Sequence, residues 1–376
     1  MPGVGAAVRW GSPTATVMPR RLLLAAALVL APAVQAQSLD LIGTVDLPAI
    51  VTDSLETGGS DVWGYVANDG SEYAIMGDIE GVSVVAVPSL EVVAQIPGPT
   101  EDARWYWRDI KTYGSFAYVT TEATGRSEGL QIIDLRGLPH HAHEVAVMRG
   151  PGDALVSSHN LSIDTVTGHA YVLDGNEGIV WALDLADPIA PVVVGRLDVG
   201  DVHDVYAHDD VVYVAEGRQP RYTIWDLSDK AAPVLLSRID VPNAGYVHNI
   251  WPTDDGRHVL TTEETAEKTL KVWNVEDPQN PELVGEWLGA NRIAHNVLVQ
   301  GRYAFVSHYT AGVYVLDLAD TAAPAVVAHH DTYPKHDDVA MDGNWGATLP
   351  SPGGYVYGSD GTGQLTVLKW TPPSDI

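Results

Sequence analysis

The stretch VYVLDLADTAAPAVVAHHD (Val313–Asp331) decides the fold, because it contains two short apolar strands joined by an acidic, proline-bearing turn. Three other stretches have the same form: IVWALDLADPIAPVVVGRLD (Ile179–Asp198), YTIWDLSDKAAPVLLSRID (Tyr222–Asp240) and LKVWNVEDPQNPELVGEWL (Leu270–Leu288). Val, Ile, Tyr and Trp favour strands, whereas Asp, Pro and Gly favour turns. A unit that recurs in this way indicates a repeat architecture.

Each unit also contains a strand that opens with Asn or Asp before an apolar residue. These openings are Asp61-Val62, Asp109-Ile110, Asn160-Leu161, Asp204-Val205, Asn249-Ile250, Asn296-Val297 and Asp338-Val339. Their spacing of about 46 residues is typical of four-stranded propeller blades. The sequence therefore predicts an all-β, seven-bladed β-propeller of four-stranded blades. Since the last unit ends after three strands, we expect LDLIGTVDLP (Leu39–Pro48) to supply its fourth strand and close the ring.

The N-terminal residues 1–36 predict an export signal, and residues 37–376 a single propeller domain. Arg20 and Arg21 precede the apolar run Leu22–Ala31, and the small residues at Val34–Ala36 suit a cleavage site. Met18 is the better candidate start, because the residues before it have no signal character. The apolar run is too short to span a bilayer. We therefore expect a secreted or periplasmic protein without a membrane span.

Charge and cysteine content exclude several classes of function. The net charge of −28 disfavours nucleic acid and anionic membranes, whose binding needs clustered cations. The chain has no cysteine, which excludes disulfides, thiolate metal sites and covalently attached haem. We expect a monomer that is stabilised by burial alone.

The repeats resemble LVIVD repeats, and residues 61–370 look like a choice-of-anchor B family protein. The resemblance rests on DVWGYV (Asp61–Val66), WRDIKTYGSFAYVTTEA (Trp107–Ala123), SSHNLSID (Ser157–Asp164), HYTAG (His308–Gly312) and DTYP (Asp331–Pro334). It implies an exported, propeller-like protein held at or beyond the cell surface, and it brings no established reaction. Members typically carry a C-terminal anchoring tail, which this sequence does not show after Trp370. Free secretion or periplasmic residence is therefore the expectation.

Histidines and carboxylates are expected to surround one mouth of the central channel, because strand openings and the ends of the second strands meet there. The candidate metal ligands are His159, His203, His248, His295, His308, Glu216 and Glu263. Imidazole and carboxylate groups suit a divalent metal, the one candidate cofactor. The alternative is architectural: Asn and Asp at strand openings commonly bond backbone N–H groups. Strand alternation also predicts that His159 and Asn160 point to opposite sides.

A second candidate surface is aromatic and basic, on loops of the same face. Its residues are Arg104, Trp105, Trp107, Arg108, Tyr246 and Arg292. Exposed Trp and Tyr near Arg suit a protein, peptide or glycan partner at the cell envelope. The alternative is that Trp105 and Trp107 alternate into a blade core.

Two functional hypotheses follow. The first is a binding module of the cell envelope or the extracellular space, which uses the polar mouth and the aromatic loop. The second is a metal-dependent enzyme centred on the mouth histidines. A propeller fold does not decide between them.

Overall fold

The computed structural model describes residues 37–51, 56–98, 107–123, 128–174 and 178–373. The predicted export signal lies outside these residues, and so do Arg104 and Trp105. Among the described residues, no helix has the length and apolar character that a membrane span needs.

Within the described ranges the strands, numbered in chain order, form seven four-stranded sheets and one two-stranded sheet. β1 (Ser38–Asp46) pairs with the last strand, while β2 (Ile50–Val51) and β3 (Glu56–Thr57) form the small sheet. Blade 1 comprises β4 (Val62–Val66), β5 (Glu72–Gly77), β6 (Gly81–Val87) and β7 (Glu91–Pro97). Blade 2 comprises β8 (Ile110–Tyr113), β9 (Phe116–Val119), β10 (Leu130–Asp134) and β11 (His143–Met148). A short 3-10 helix follows at Pro151–Asp153.

The remaining blades continue the same order. Blade 3 comprises β12 (Leu161–Asp164), β13 (His169–Asp174), β14 (Ile179–Asp184) and β15 (Val192–Asp198). Blade 4 comprises β16 (Asp204–His208), β17 (Val211–Ala215), β18 (Arg221–Asp226) and β19 (Val234–Asp240). Blade 5 comprises β20 (Val247–Pro252), β21 (His258–Glu263), β22 (Leu270–Asn274) and β23 (Glu282–Trp287). Blade 6 comprises β24 (Val297–Gln300), β25 (Tyr303–Ser307), β26 (Val313–Asp317) and β27 (Ala325–His330). Blade 7 comprises β28 (Asn344–Ala347), β29 (Tyr355–Asp360), β30 (Gln364–Thr371) and β1. The predicted seven-bladed propeller is confirmed.

The acidic turn of the repeat connects the third and fourth strands of a blade. The carboxylates of Asp184, Asp226 and Asp317 each accept a hydrogen bond of 2.8 Å from the backbone N–H two residues later. Such turns let a short polar side chain end a strand without leaving its backbone unpaired. The following outer strand pairs with a register shift in these blades, which bends it around the rim. The acidic motif that identified the repeat therefore ends the third strand of the blade.

The apolar core lies between neighbouring blades. Between blades 4 and 5, for example, Tyr222 and Ile239 of one blade pack with Val247 and Val259 of the next. Tyr222 is fully buried, and its hydroxyl donates a 2.5 Å hydrogen bond to the carbonyl of Thr262. Each blade is consequently held by its two neighbours, so that the ring depends on being closed.

The N-terminal strand closes the ring, as the sequence predicts. β1 runs antiparallel to β30, from Ser38 opposite Thr371 to Asp46 opposite Gln364. Leu39 is buried in the same cluster as Trp370. The first and last strands of the propeller thus complete one blade, which leaves no open edge in the ring.

The predicted opening of blade 7 is wrong. Asp338 and Val339 lie in an exposed loop, where 86% of the Asp338 side chain is accessible. The first strand of this blade is instead β28, which begins at Asn344. The β28 sequence, Asn-Trp-Gly-Ala, lacks the pair of Asn or Asp and an aliphatic residue that opens the other blades. The same kind of pair occurs in the exposed loop, at Asp338-Val339, without opening a strand.

Candidate functional site

The first strands of the blades surround a central channel with a cavity of about 250 Å³. Its wall changes character along the axis. One end is lined by imidazole rings, the middle by Asp and Asn side chains with one lysine, and the other end by aromatic side chains. The aromatic end includes Trp63, Tyr206 and Trp251, and the rings of the last two are 4.0 Å apart.

Four of the predicted histidines form a continuous row at the polar end, which we call the histidine row: His159, His203, His248 and His295. Successive ring centroids are 4.4, 4.3 and 4.3 Å apart. Trp345 of blade 7 extends the row, with its ring 4.7 Å from that of His295. His248 and His295 are buried, whereas His159 and His203 are half-buried and lie toward the mouth.

Adjacent residues at the strand openings both line the cavity, contrary to the prediction from strand alternation. His159 and Asn160 precede the start of β12, so the period of two does not yet constrain them. In blade 5, a register shift between Val247 and Asn249 places His248 at a bulge. Bulges redirect a side chain without ending the strand.

Each histidine of the row has a distinct partner. Nδ1 of His159 contacts the carboxylate of Glu122, and Nδ1 of His203 lies 2.8 Å from the Tyr246 hydroxyl. Nδ1 of His295 bonds the backbone carbonyl of Trp345. Nδ1 of His248 is buried without a hydrogen-bond partner within the described residues.

These surroundings hold most of the row neutral. Burial, reinforced by the neighbouring imidazoles, keeps the pKa of His203 and of His248 well below the usual range. Burial also lowers the pKa of His295, although Glu264 opposes this. Burial acts in the same direction on His159, but the hydrogen bond and charge of Glu122 outweigh it and raise its pKa. Neutral imidazoles can accept hydrogen bonds or ligate a metal.

Asp and Asn residues at the openings, which we call the Asp/Asn ring, join neighbouring blades at four positions. Asp109 accepts a 2.7 Å hydrogen bond from the backbone N–H of Leu161, and Asn249 accepts one of 3.1 Å from Val297. Asp61 and Asn160 accept equivalent bonds from Ile110 and Val205, both at 3.3 Å. Each side chain therefore reaches the first strand of the next blade. This supports the architectural interpretation for the Asp/Asn ring.

A half-buried cation balances the acidic part of that ring. Nζ of Lys111 contacts Asp109, lies 3.2 Å from Asp61 and sits 4.6 Å from the centre of the Trp63 ring. Burial disfavours the ammonium, but Asp109 and Asp61 raise the pKa of Lys111 above its usual range. Asp204 completes the acidic group and accepts a 2.6 Å hydrogen bond from Asn249.

Asp204 gives the channel a testable pH dependence. Burial, together with the charge of Asp109, raises the pKa of Asp204 to about 6. Because a free aspartate titrates near 3.9, the carboxylate destabilises the folded state as pH rises from about 4 to about 6. We expect Asp204→Asn to raise the free energy of unfolding by about 1 kcal/mol at pH 7.5 and to leave it nearly unchanged at pH 4. Urea unfolding at both pH values measures this, and a loss of stability at pH 7.5 would contradict it.

Three predicted ligands lie apart from the histidine row. Glu216 is paired with Arg221 and accepts a 2.8 Å hydrogen bond from Thr223. Glu263 is paired with Lys271 inside blade 5. His308 is fully buried against Trp287 and Tyr314, and burial lowers its pKa to about 4. Glu216 and Glu263 form ion pairs within their blades, and His308 packs among aromatic rings. None of the three lines the channel cavity.

The predicted aromatic and basic surface is only partly assembled. Trp107 lines the cavity, and Tyr246 contacts His203 at its mouth. Arg108 is buried, with 3% of its surface exposed, so it is not part of an outer surface. Arg292 is exposed and pairs with Glu267 away from the row.

Two residues of the site were missed by sequence reasoning, namely Glu264 and Trp345. Glu264 follows the end of β21, and its carboxylate faces His248 and His295. The repeat pattern stops at Glu263, the last residue of β21, so it gives no signal for Glu264. Trp345 takes the histidine position of blade 7, a substitution that pattern matching does not detect.

Comparison with known proteins supports the repeat and the fold. LVIVD repeats match residues 199–241 and 291–332, which fall in blades 4 and 6. No curated protein matches the chain. The solved structure of U3-55K is 11% identical, with a TM-score of 0.60 over 86% of this chain and 98% of that chain. The WD40 repeats of RRP9 are 10% identical, with a TM-score of 0.62 over 89% of this chain and 100% of that one. At these identities the likeness concerns the fold alone.

Proposed function

We propose that this LVIVD-repeat propeller is an exported binding module, and that it receives a peptide or glycan segment at the histidine end of its channel. The N-terminal sequence supports export, because a cationic pair precedes a short apolar run and small residues. The cell envelope or the extracellular space would then supply the partner. Choice-of-anchor B membership would agree with this location.

The observation that carries the proposal is a difference between the bonding of the Asp/Asn ring and that of the histidine row. The Asp/Asn ring bonds to the strand backbones of neighbouring blades. Two of the histidines instead bond to side chains at the mouth, Glu122 and Tyr246. The row therefore lies in the cavity wall as a second layer over a ring that already joins the blades. Polar groups that converge on a concave, partly aromatic cavity are typical of ligand sites.

The chemistry of the mouth favours neutral or cationic segments. The chain carries a net charge of −28, and the carboxylates of Glu122 and Glu264 stand beside the row. Trp107, Tyr246 and Trp345 offer aromatic faces on which a sugar ring or an apolar side chain can stack. Uncharged imidazoles between them can exchange hydrogen bonds with hydroxyl or amide groups.

Selection from a peptide library and a glycan array tests the proposal. We expect the selected ligands to bind Tyr246→Ala and Trp345→Ala at least tenfold more weakly, because truncated aromatic anchors commonly cost this much. Val192→Ser on the outer strand of blade 3 is the matched control and should bind normally, since Val192 is exposed at the rim. Ligands that bind all three variants equally would show that the channel mouth is not the binding surface.

A further inference from the structure

Three potential ligand groups converge at the deep end of the histidine row. Nε2 of His248 lies 3.7 Å from one carboxylate oxygen of Glu264, and Nε2 of His295 lies 3.8 Å from the other. One donor atom from each residue falls within 4.8 Å of the other two. These separations are too long for hydrogen bonds. The three groups therefore face one another without bonding directly.

The separations suit an ion placed between the groups. A tetrahedral ion with bonds of about 2.1 Å holds its ligand atoms about 3.4 Å apart. The observed distances of 3.7 and 3.8 Å exceed this by a few tenths of an ångström, and they end on different oxygens of Glu264. With one donor atom from each residue the separations reach up to 4.8 Å, so the three side chains would have to move closer together to coordinate one ion.

The supporting contacts are those that metal ligands need. Nδ1 of His295 donates to the carbonyl of Trp345, which leaves the lone pair on Nε2 free for an ion. The Tyr309 hydroxyl donates to Glu264 and fixes the orientation of that carboxylate. Tyr309 is itself held against the His295 ring, with centroids 5.0 Å apart.

His248 is buried with one ring nitrogen unpaired in the described part of the chain. Its side chain is 4% exposed, and Nδ1 has no hydrogen-bond partner within the described residues. Burying a polar ring without full hydrogen bonding is costly. A bond from Nε2 to an ion would give the ring a polar partner, but it would leave Nδ1 unpaired.

We propose that His248, His295 and Glu264 bind one divalent transition-metal ion. Two imidazoles and one carboxylate favour zinc and its neighbours over calcium or magnesium, which prefer oxygen ligands alone. Three protein ligands leave a coordination position for water or for a donor group in the channel. The site does not depend on the proposed peptide or glycan partner.

Zinc titration of the untagged full chain, freed of metal with a chelator, tests the site. Competition with a chromogenic chelator should give one tight site per chain. Glu264→Gln should weaken zinc binding at least tenfold, because it removes the one anionic ligand. Glu267→Gln is the matched control, since Glu267 pairs with Arg292 away from the row. We expect its affinity to stay within threefold of the original.

A second variant separates positioning from folding. Tyr309→Phe keeps the ring and removes the hydroxyl that orients Glu264. It should weaken zinc binding about tenfold at unchanged stoichiometry, and it should alter the visible spectrum of the Co²⁺-substituted chain. The proposal is overturned if the original chain binds no stoichiometric zinc. It is equally overturned if Glu267→Gln weakens binding as much as Glu264→Gln, or if Tyr309→Phe changes neither affinity nor spectrum.

Discussion

A chain that begins at Pro48 is expected to lose most of its free energy of unfolding. This truncation removes β1, whose residues from Ser38 to Asp46 pair with β30. It also exposes Trp370 and removes Leu39, which are buried together. Eight register pairs, at about one backbone hydrogen bond per pair and about 0.5–1.5 kcal/mol per bond, together with about 2 kcal/mol for Leu39, give an expected loss of about 6 kcal/mol or more. Urea unfolding followed by circular dichroism measures the loss.

The control for this truncation is a chain that begins at Gln37, which keeps β1 and should unfold like the full chain. A synthetic peptide of residues 37–47, added to the shorter chain, should restore part of the lost stability, because an added strand can complete an open sheet. If the chain from Pro48 unfolds at the same urea concentration as its control, the N-terminal strand does not close the ring.

Replacement of Lys111 by methionine is expected to have the second largest effect. The variant leaves the buried Asp109 and the half-buried Asp61 near the channel axis without their cation. Removing one partner of a buried ion pair typically costs about 3–5 kcal/mol, because the remaining charge stays desolvated. Urea unfolding at pH 8 should show a loss in this range. The loss should be smaller at pH 5, since protonation relieves the unpaired carboxylates.

A second substitution distinguishes lost charge balance from lost packing. Lys111→Met combined with Asp109→Asn should recover at least half of the lost stability, because asparagine can still accept the N–H of Leu161. Arg196→Met is the control. Arg196 pairs with Asp198 and both side chains are more than half exposed, so we expect a loss of about 1 kcal/mol or less. A Lys111→Met variant as stable as this control would contradict the proposed role of the cation.

The fold could be predicted from sequence because short-range sequence patterns determine the strands and turns of each blade. Apolar alternation sets the strands, and residues such as Asp184 and Asp317 end them by bonding the following backbone. These interactions are short in sequence, so a pattern detects them. Blade 7 was placed wrongly at its first strand because burial, and not the local pattern, distinguishes Asn344 from Asp338. Burial depends on neighbouring blades, which a single sequence does not show.

The site was predicted less completely for the same reason. Four histidines in equivalent positions indicated a shared location, and the structure brings them into one row. The acidic partners were harder to choose, because Glu263 and Glu264 are adjacent and face opposite sides. Glu263 pairs with Lys271, and Glu264 faces the row. His308 was assigned by position in the repeat, but its surroundings are those of a packed interior residue.

The measurement that tests the central claim most directly compares the Asp/Asn ring with the histidine row in one stability experiment. The claim is that the Asp/Asn ring builds the propeller, whereas the histidine row serves a ligand. Asn249→Ala removes two bonds, from Val297 and to Asp204, and should cost about 2–3 kcal/mol in urea unfolding. His203→Ala should cost less than about 1 kcal/mol, because it removes a half-buried ring from the cavity wall. Equal losses in the two variants would mean that the histidine row is part of the scaffold.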